Sequence, residues 1–275
     1  MTAPPERALK RILVALDASR ASLDALVAAA ALAERLGAEL GGLFVEDEIL
    51  LSLGGHPFVR QMRLPSGDWG PLEPGSIEAD LRAMASRARE ALARAAAPRR
   101  VTWTFRVARG RVSLEVIAAS EHADLLVLGV SGHRLTRGPG ETARAAAARA
   151  PVSVLLLTRG ATVGPPILAA YDGSPAGDRA LDLAARLAAA GAGELEVLVA
   201  ARDLTMSQRL AEQARRRLDR PGARARWAGG GRLEDLVAAA PPHALLVVGA
   251  DAPALAEGGP ERLLALARCP VLLAR

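Results

Sequence analysis

Two short segments carry residue types that could hold a polar ring or an anion. The first is Leu16-Asp17-Ala18-Ser19, set between an apolar run and an Ala- and Leu-rich stretch. A carboxylate at such a place can accept hydrogen bonds from the amine or hydroxyls of a nucleoside. Asp or Ser before a helix also satisfies free backbone N–H groups, so the pair has a structural use as well. The second segment is Gly129-Val130-Ser131-Gly132, followed by His133 to Pro139 and by Gly140-Glu141-Thr142, where a helix opens. Glycines let backbone N–H groups come close to an anion, and the helix N-terminus adds partial positive charge. Thr142, Arg134, Arg137 and Arg144 could add donors, although a G-x-x-G pair also serves an ordinary strand-to-helix loop.

Other chemistries find no foothold. The sequence has no Walker A loop, no H-E-x-x-H and no G-x-S-x-G. Gly138-Pro139-Gly140-Glu141-Thr142-Ala143 fits G-x-G-x-x-A, but it follows no strand directly and has no acidic residue about 20 positions on. His56, His122, His133 and His243 lack metal-ligand spacing, so no metal site is expected. The single cysteine, Cys269, excludes an internal disulfide framework and reads as a buried small residue. No base is paired with a nucleophile, so the expectation is a protein that is not an enzyme.

An internal repeat positions these segments. Residues 11–40 align without gaps over 166–195, with 14 identities in 30. They include Ile12/Ile167, Leu13/Leu168, Asp17/Asp172, Ser19/Ser174, Leu26/Leu181 and Leu40/Leu195. ADLLVLG at 123–129 matches HALLVVG at 243–249, and PVSVLLL at 151–157 matches RCPVLLA at 268–274. Each copy reads as five strands alternating with helices. The strands expected first are 12–16, 40–45, 101–107, 125–128 and 152–157, and in the second copy 167–171, 195–200, 224–227, 245–248 and 271–273. Continuous apolar runs without alternation suit parallel strands covered on both faces, and alternating strands and helices give a doubly wound sheet. The expected organisation is a first domain over 1–158, a linker at 159–166 (RGATVGPP) and a shorter second domain over 167–275. The first domain carries a long loop at 47–75, rich in Pro and Gly yet bearing Leu50, Phe58 and Trp69. Such a loop could cover a pocket or a partner surface.

The order of these features resembles the universal stress protein family: a strand ending in Asp, a small residue and Ser; a second strand ending in G-x-x-G; a spaced Gly opening the last helix; a final P-V-L-type strand. The resemblance covers essentially the whole chain, as a tandem member. It implies an α/β fold of two tandem five-stranded parallel sheets of Rossmann-like type, packed as a pseudo-dimer through their last strands. It also implies ATP, with or without Mg²⁺, held between strands 1 and 4. Carried over, Ala15, Leu16 and Asp17 would contact the adenine and ribose side, and Val45 would line the base pocket. Gly129, Ser131, Gly132, Gly140 and Thr142 would hold ribose and phosphates. This sequence departs from the family pattern in the shorter spacing from Gly132 to Gly140 and in Glu141, which stands where a hydroxyl is usual; Thr142 could replace it. The second copy keeps Asp172 and Gly249 but reads Gly249-Ala250-Asp251-Ala252, with Glu257 at the helix-opening position. Its site is expected to be degenerate.

With 275 residues, 51% of them apolar and 24% charged, the chain can build two cores, mostly from Leu, Val, Ile and Ala. The net charge of +5 comes almost wholly from Arg, since Lys10 is the only lysine. Without interleaved aromatics this does not describe a nucleic-acid surface. No run of 18 apolar residues occurs, so no membrane span is expected. The resemblance implies a cytoplasmic, ATP-binding stress-response regulator with at most slow, incidental ATP hydrolysis, and with an adenine nucleotide, a second copy of itself and a protein partner as binding partners. A nucleotide-free tandem scaffold is the alternative.

Overall fold

The computed structural model describes residues 9–53, 59–63, 67–71, 75–130, 140–158, 160–192, 194–218, 224–227, 232–242, 244–256 and 258–275. The first half runs β1 (Arg11–Leu16), α1 (Arg20–Leu36), β2 (Glu39–Asp47), α2 (Glu48–Leu53), β3 (Arg60–Arg63), β4 (Asp68–Pro71), α3 (Ser76–Ala96), β5 (Trp103–Gly110), α4 (Val112–Ser120), β6 (Leu125–Val130), α5 (Glu141–Arg149) and β7 (Ser153–Thr158). The second half runs β8 (Gly164–Tyr171), α6 (Pro175–Leu187), β9 (Leu195–Val199), α7 (Leu204–Leu218), β10 (Arg224–Trp227), α8 (Leu233–Ala239), β11 (Ala244–Gly249), α9 (Gly259–Leu266) and β12 (Val271–Ala274).

The main sheet has the order β10-β9-β8-β11-β12-β7-β6-β1-β2-β5. Each half contributes five parallel strands in doubly wound order, and the order reverses between β1 and β6 in the first half and between β8 and β11 in the second. The two halves do not form separate sheets. β7 and β12 pair antiparallel, Leu156 opposite Val271 and Val154 opposite Leu273, so the pseudo-dimer is one continuous ten-stranded sheet. The apolar final strands close each other's edge, which removes two exposed ladders at once.

Alternation of side chains across the pleat divides the core into two layers. Ile12, Val14 and Leu16, with their counterparts Ile167, Ala169 and Tyr171, face α1, α3, α6 and α7. Leu126, Leu128 and Val130, with Leu246 and Val248, face α4, α5, α8 and α9. Helix α1 can lie close to the strands because its inward face is built from Ala25, Ala29 and Ala33. Its N-terminus is capped by Ser19, whose Oγ accepts from the Ser22 N–H at 3.2 Å. Gly37, at φ 61°, closes its C-terminus.

Some boundaries move relative to the sequence expectation. β5 occupies 103–110 rather than 101–107, because Val101 still bonds back to Ala96 and the nine-residue β2 extends the ladder to Asp47 opposite Gly110. β8 starts at Gly164, inside the stretch expected as linker, where Gly164 pairs with Ala244 ahead of a register shift. Residues 47–75 are not an uninterrupted loop. They hold α2 and the antiparallel hairpin β3–β4, in which Met62 lies opposite Trp69.

Candidate functional site

At the carboxyl end of β1 the chain turns within three residues. Asp17 Oδ1 accepts from the Ser19 N–H at 2.9 Å, and the Asp17 N–H donates to Ser22 Oγ at 3.4 Å. Ala18 bridges them at φ 59°, a left-handed conformation that costs an L-residue roughly 1–2 kcal/mol. Burial pushes the Asp17 carboxyl up, but the hydrogen bonds from Ser19 and Ser22 outweigh it and hold the group below its ordinary 3.8. The carboxylate therefore stands ionised at the head of α1, partly open to solvent.

Next to this turn lies the end of β6, and here Gly129 is required by packing. A Cβ on Gly129 would stand 2.2 Å from the Ala21 carbonyl oxygen and 2.6 Å from the Ser22 nitrogen. The first turn of α1 rests directly on the Gly129 backbone. The reason for glycine is thus the approach of helix to strand, with the cavity wall as a by-product.

Between β1 and β6, at the topological switch point, opens a cavity of about 200 Å³. Ligands of open α/β sheets bind at such crevices. Of the residues expected from sequence, Ala15, Leu16, Asp17, Val45, Gly129 and Thr142 all line it. Gly140 does not. It is the exposed N-cap of α5, where a Cβ would meet nothing within 4 Å. Ser131 and Gly132, with Arg134 and Arg137, lie outside the described residues. Glu141 is exposed and absent from the cavity wall, whereas Thr142, one step round the helix, is part of it.

The remaining walls were not singled out by sequence, apart from the 47–75 stretch, expected to cover a pocket or a partner surface, which supplies Asp47 and Leu50. Leu43 and Phe44 come from β2, Leu50 from α2, Leu81 and Met84 from α3, Val112 and Val116 from α4, and Leu128 and Ala143 from β6 and α5. Apolar runs on the strands and helical spacing on α3 and α4 marked buried faces without saying that part of those faces borders a void. Two polar residues complete the lining: Ser22, and Asp47, whose Oδ1 accepts from the Ile49 N–H at 2.9 Å and so starts α2. The arrangement is an apolar slot with Asp17, Asp47, Ser22 and Thr142 at its polar margin. It suits a flat ring inserted into the slot and hydroxyl or amine donors at the rim.

In the second half the same turn recurs. Asp172 Oδ1 accepts from the Ser174 N–H (2.9 Å) and hydroxyl (2.5 Å), and Gly173 takes the left-handed position at φ 78°. Gly249 repeats the packing role, since a Cβ there would lie 2.4 Å from the Ala176 carbonyl oxygen. Beyond β11, however, a short 3-10 turn at Pro253–Leu255 buries Ala252 and Leu255 in the apolar layer that also holds Ala200 and Leu236. Asp251 is engaged in an ion pair with Arg179 and is held below its ordinary value by it. The helix-opening glycine is Gly258, the N-cap of α9, one residue after the position expected at Glu257.

Residues 8–158, more than half of the chain, match the universal stress protein family. The chain belongs to that family. No curated protein matches the sequence. A universal stress protein from Archaeoglobus fulgidus DSM 4304 is 16% identical with a TM-score of 0.71, over 96% of this chain and 98% of that one. A functionally unknown protein from Pseudomonas aeruginosa PAO1 is 17% identical with a TM-score of 0.54, over 97% and 92%. Both likenesses span both halves, and at such identities they concern the fold. A universal stress protein solved in complex with cAMP is 19% identical, with a TM-score of 0.36, over 56% of this chain and 99% of its own. Among the described residues, no helix of this family member is long and apolar enough to cross a membrane.

Proposed function

We propose that this universal stress protein is a nucleotide-responsive regulator that holds an adenine nucleotide, ATP foremost, in the cavity between β1 and β6. The observation that carries the reading is the meeting of Ala15, Leu16, Asp17, Val45, Gly129 and Thr142 around one apolar slot at the switch point. A volume of about 200 Å³ falls below the ~300–1,000 Å³ of pockets that enclose a whole drug-sized ligand. It has room for a base, with ribose and phosphates emerging past Asp17 and Thr142. The ionised Asp17 is a hydrogen-bond acceptor suited to a ribose diol or an exocyclic amine. When bound, ATP would bring its own Mg²⁺. Among the described residues no group of three or more His, Cys, Asp or Glu could hold a metal.

The output proposed is a change of conformation or of partner rather than turnover. The second half, in which Ala252 and Leu255 are buried beyond β11, acts as a structural partner. The proposal includes a cytoplasmic location and self-association through the apolar residues of α2 and the β3–β4 hairpin. Photolabelling with 2-azido-ATP tests the placement. The label should map to peptides containing Val45 or Met84 and be competed by ATP; labelling confined to the second half would refute it.

A further inference from the structure

The turn after β11 has lost the spacing of a ligand loop, and its residues grip other parts of the protein. Asp251 pairs with Arg179 of α6. Its neighbour Ala250 donates its N–H to the Ala274 carbonyl at 2.9 Å, which joins the turn to the residue before Arg275. Arg275 then reaches across the seam between the halves. Its backbone N–H donates to Ser153 Oγ at 3.2 Å, and its guanidinium donates to the Ala147 carbonyl in the last turn of α5. That carbonyl lacks its ordinary donor. In an α-helix it would accept from the N–H four residues on, and residue 151 is Pro, which has none. A cation at this end of the helix also suits its dipole. The opposite end of the nine-residue α5 carries Thr142 and Ala143, two residues of the cavity wall.

We infer that Arg275 is a positioning residue for the first-half cavity: it fixes α5 from its C-terminal end and so sets where Thr142 and Ala143 stand. The second half thereby becomes the anchor of the functional site in the first. The ligand side of this inference rests on the nucleotide reading above; the helix side does not.

The test uses the full chain, the Arg275→Ala and Arg275→Lys variants, amide hydrogen exchange and calorimetry with ATP. Arg275→Ala should speed exchange at Arg144, Ala145 and Ala146 by about tenfold while β1 and β6 amides keep their protection. It should also weaken ATP binding by about five- to tenfold. Arg275→Lys, which retains a charged donor, should restore both. Unchanged exchange in α5 would overturn the inference, as would faster exchange with ATP affinity within twofold of the parent. If the parent binds no ATP, the nucleotide reading falls, and the exchange result alone decides whether Arg275 positions α5.

Discussion

Gly129 and Gly249 occupy matching places in the two halves, and both are held there by a helix carbonyl rather than by a ligand. A methyl group at either would have to displace the first turn of α1 or α6, whose backbone cannot give way as a flexible side chain could. Gly129→Ala and Gly249→Ala should each cost about 3 kcal/mol in urea denaturation, at the upper end of overpacking effects. A loss under about 1 kcal/mol would show that the contact is not as close as described. The same pair explains what could be read at this scale. Asp17-Ala18-Ser19 is a turn made by adjacent residues, so the sequence displayed it whole. Gly129 was visible as a glycine, but its reason lay in Ala21, more than a hundred residues away.

Two titrations belong to the same scale. Asp17 has a folded-state value below that of the unfolded chain, so its contribution is present above about pH 4 and is lost as the pH falls through the lowered value. Asp17→Asn should therefore be less sensitive than the parent to acid below about pH 4; identical acid limbs would contradict the hydrogen-bonded turn. Tyr171 is the chain's only tyrosine and is buried beside Asp178, so burial first and that carboxylate second raise it from 10.0 to about 12. Its contribution is in place below pH 10 and disappears as the pH rises through about 12. Difference absorbance should show one phenol ionising near 12 in the native protein and near 10 in denaturant. A native midpoint near 10 would place the ring at the surface.

At the scale of elements, the seam strands decide whether the halves stay together. Leu272 of β12 lies opposite Leu155 of β7, and both are buried. Leu272→Asp places an unpaired charge in the middle of the joined sheet and should cost about 4 kcal/mol or more, with loss of cooperative unfolding between the halves. A single transition of unchanged midpoint would mean that the seam contributes little. The five-strand rhythm of each half was legible because buried parallel strands are written as continuous apolar runs. The cavity walls on α3 and α4 were not. Met84 and Val116 have the same helical spacing as fully packed neighbours, and only the placement of α2, α3 and α4 around β2 leaves a void between them. The elements within residues 47–75 escaped detection for a related reason. Strands as short as β3 and β4 leave no periodicity to read, and α2 is six residues long.

The whole molecule is a repeated unit whose two copies share one ten-stranded sheet. Both keep the Asp–Ser turn, the packing glycine and the closing strand, which are the requirements of the fold. One keeps a cavity at its switch point; in the other, Ala252 and Leu255 are buried beyond the matching strand and Asp251 is committed to Arg179. Ligand binding should therefore be asymmetric between two nearly equivalent halves. Calorimetric titration of ATP into nucleotide-stripped protein, alongside Asp17→Ala and Asp172→Ala, tests that directly. One site per chain is expected, lost or weakened at least tenfold by Asp17→Ala and untouched by Asp172→Ala. Two equivalent sites, no heat at all, or a site abolished by Asp172→Ala would contradict it.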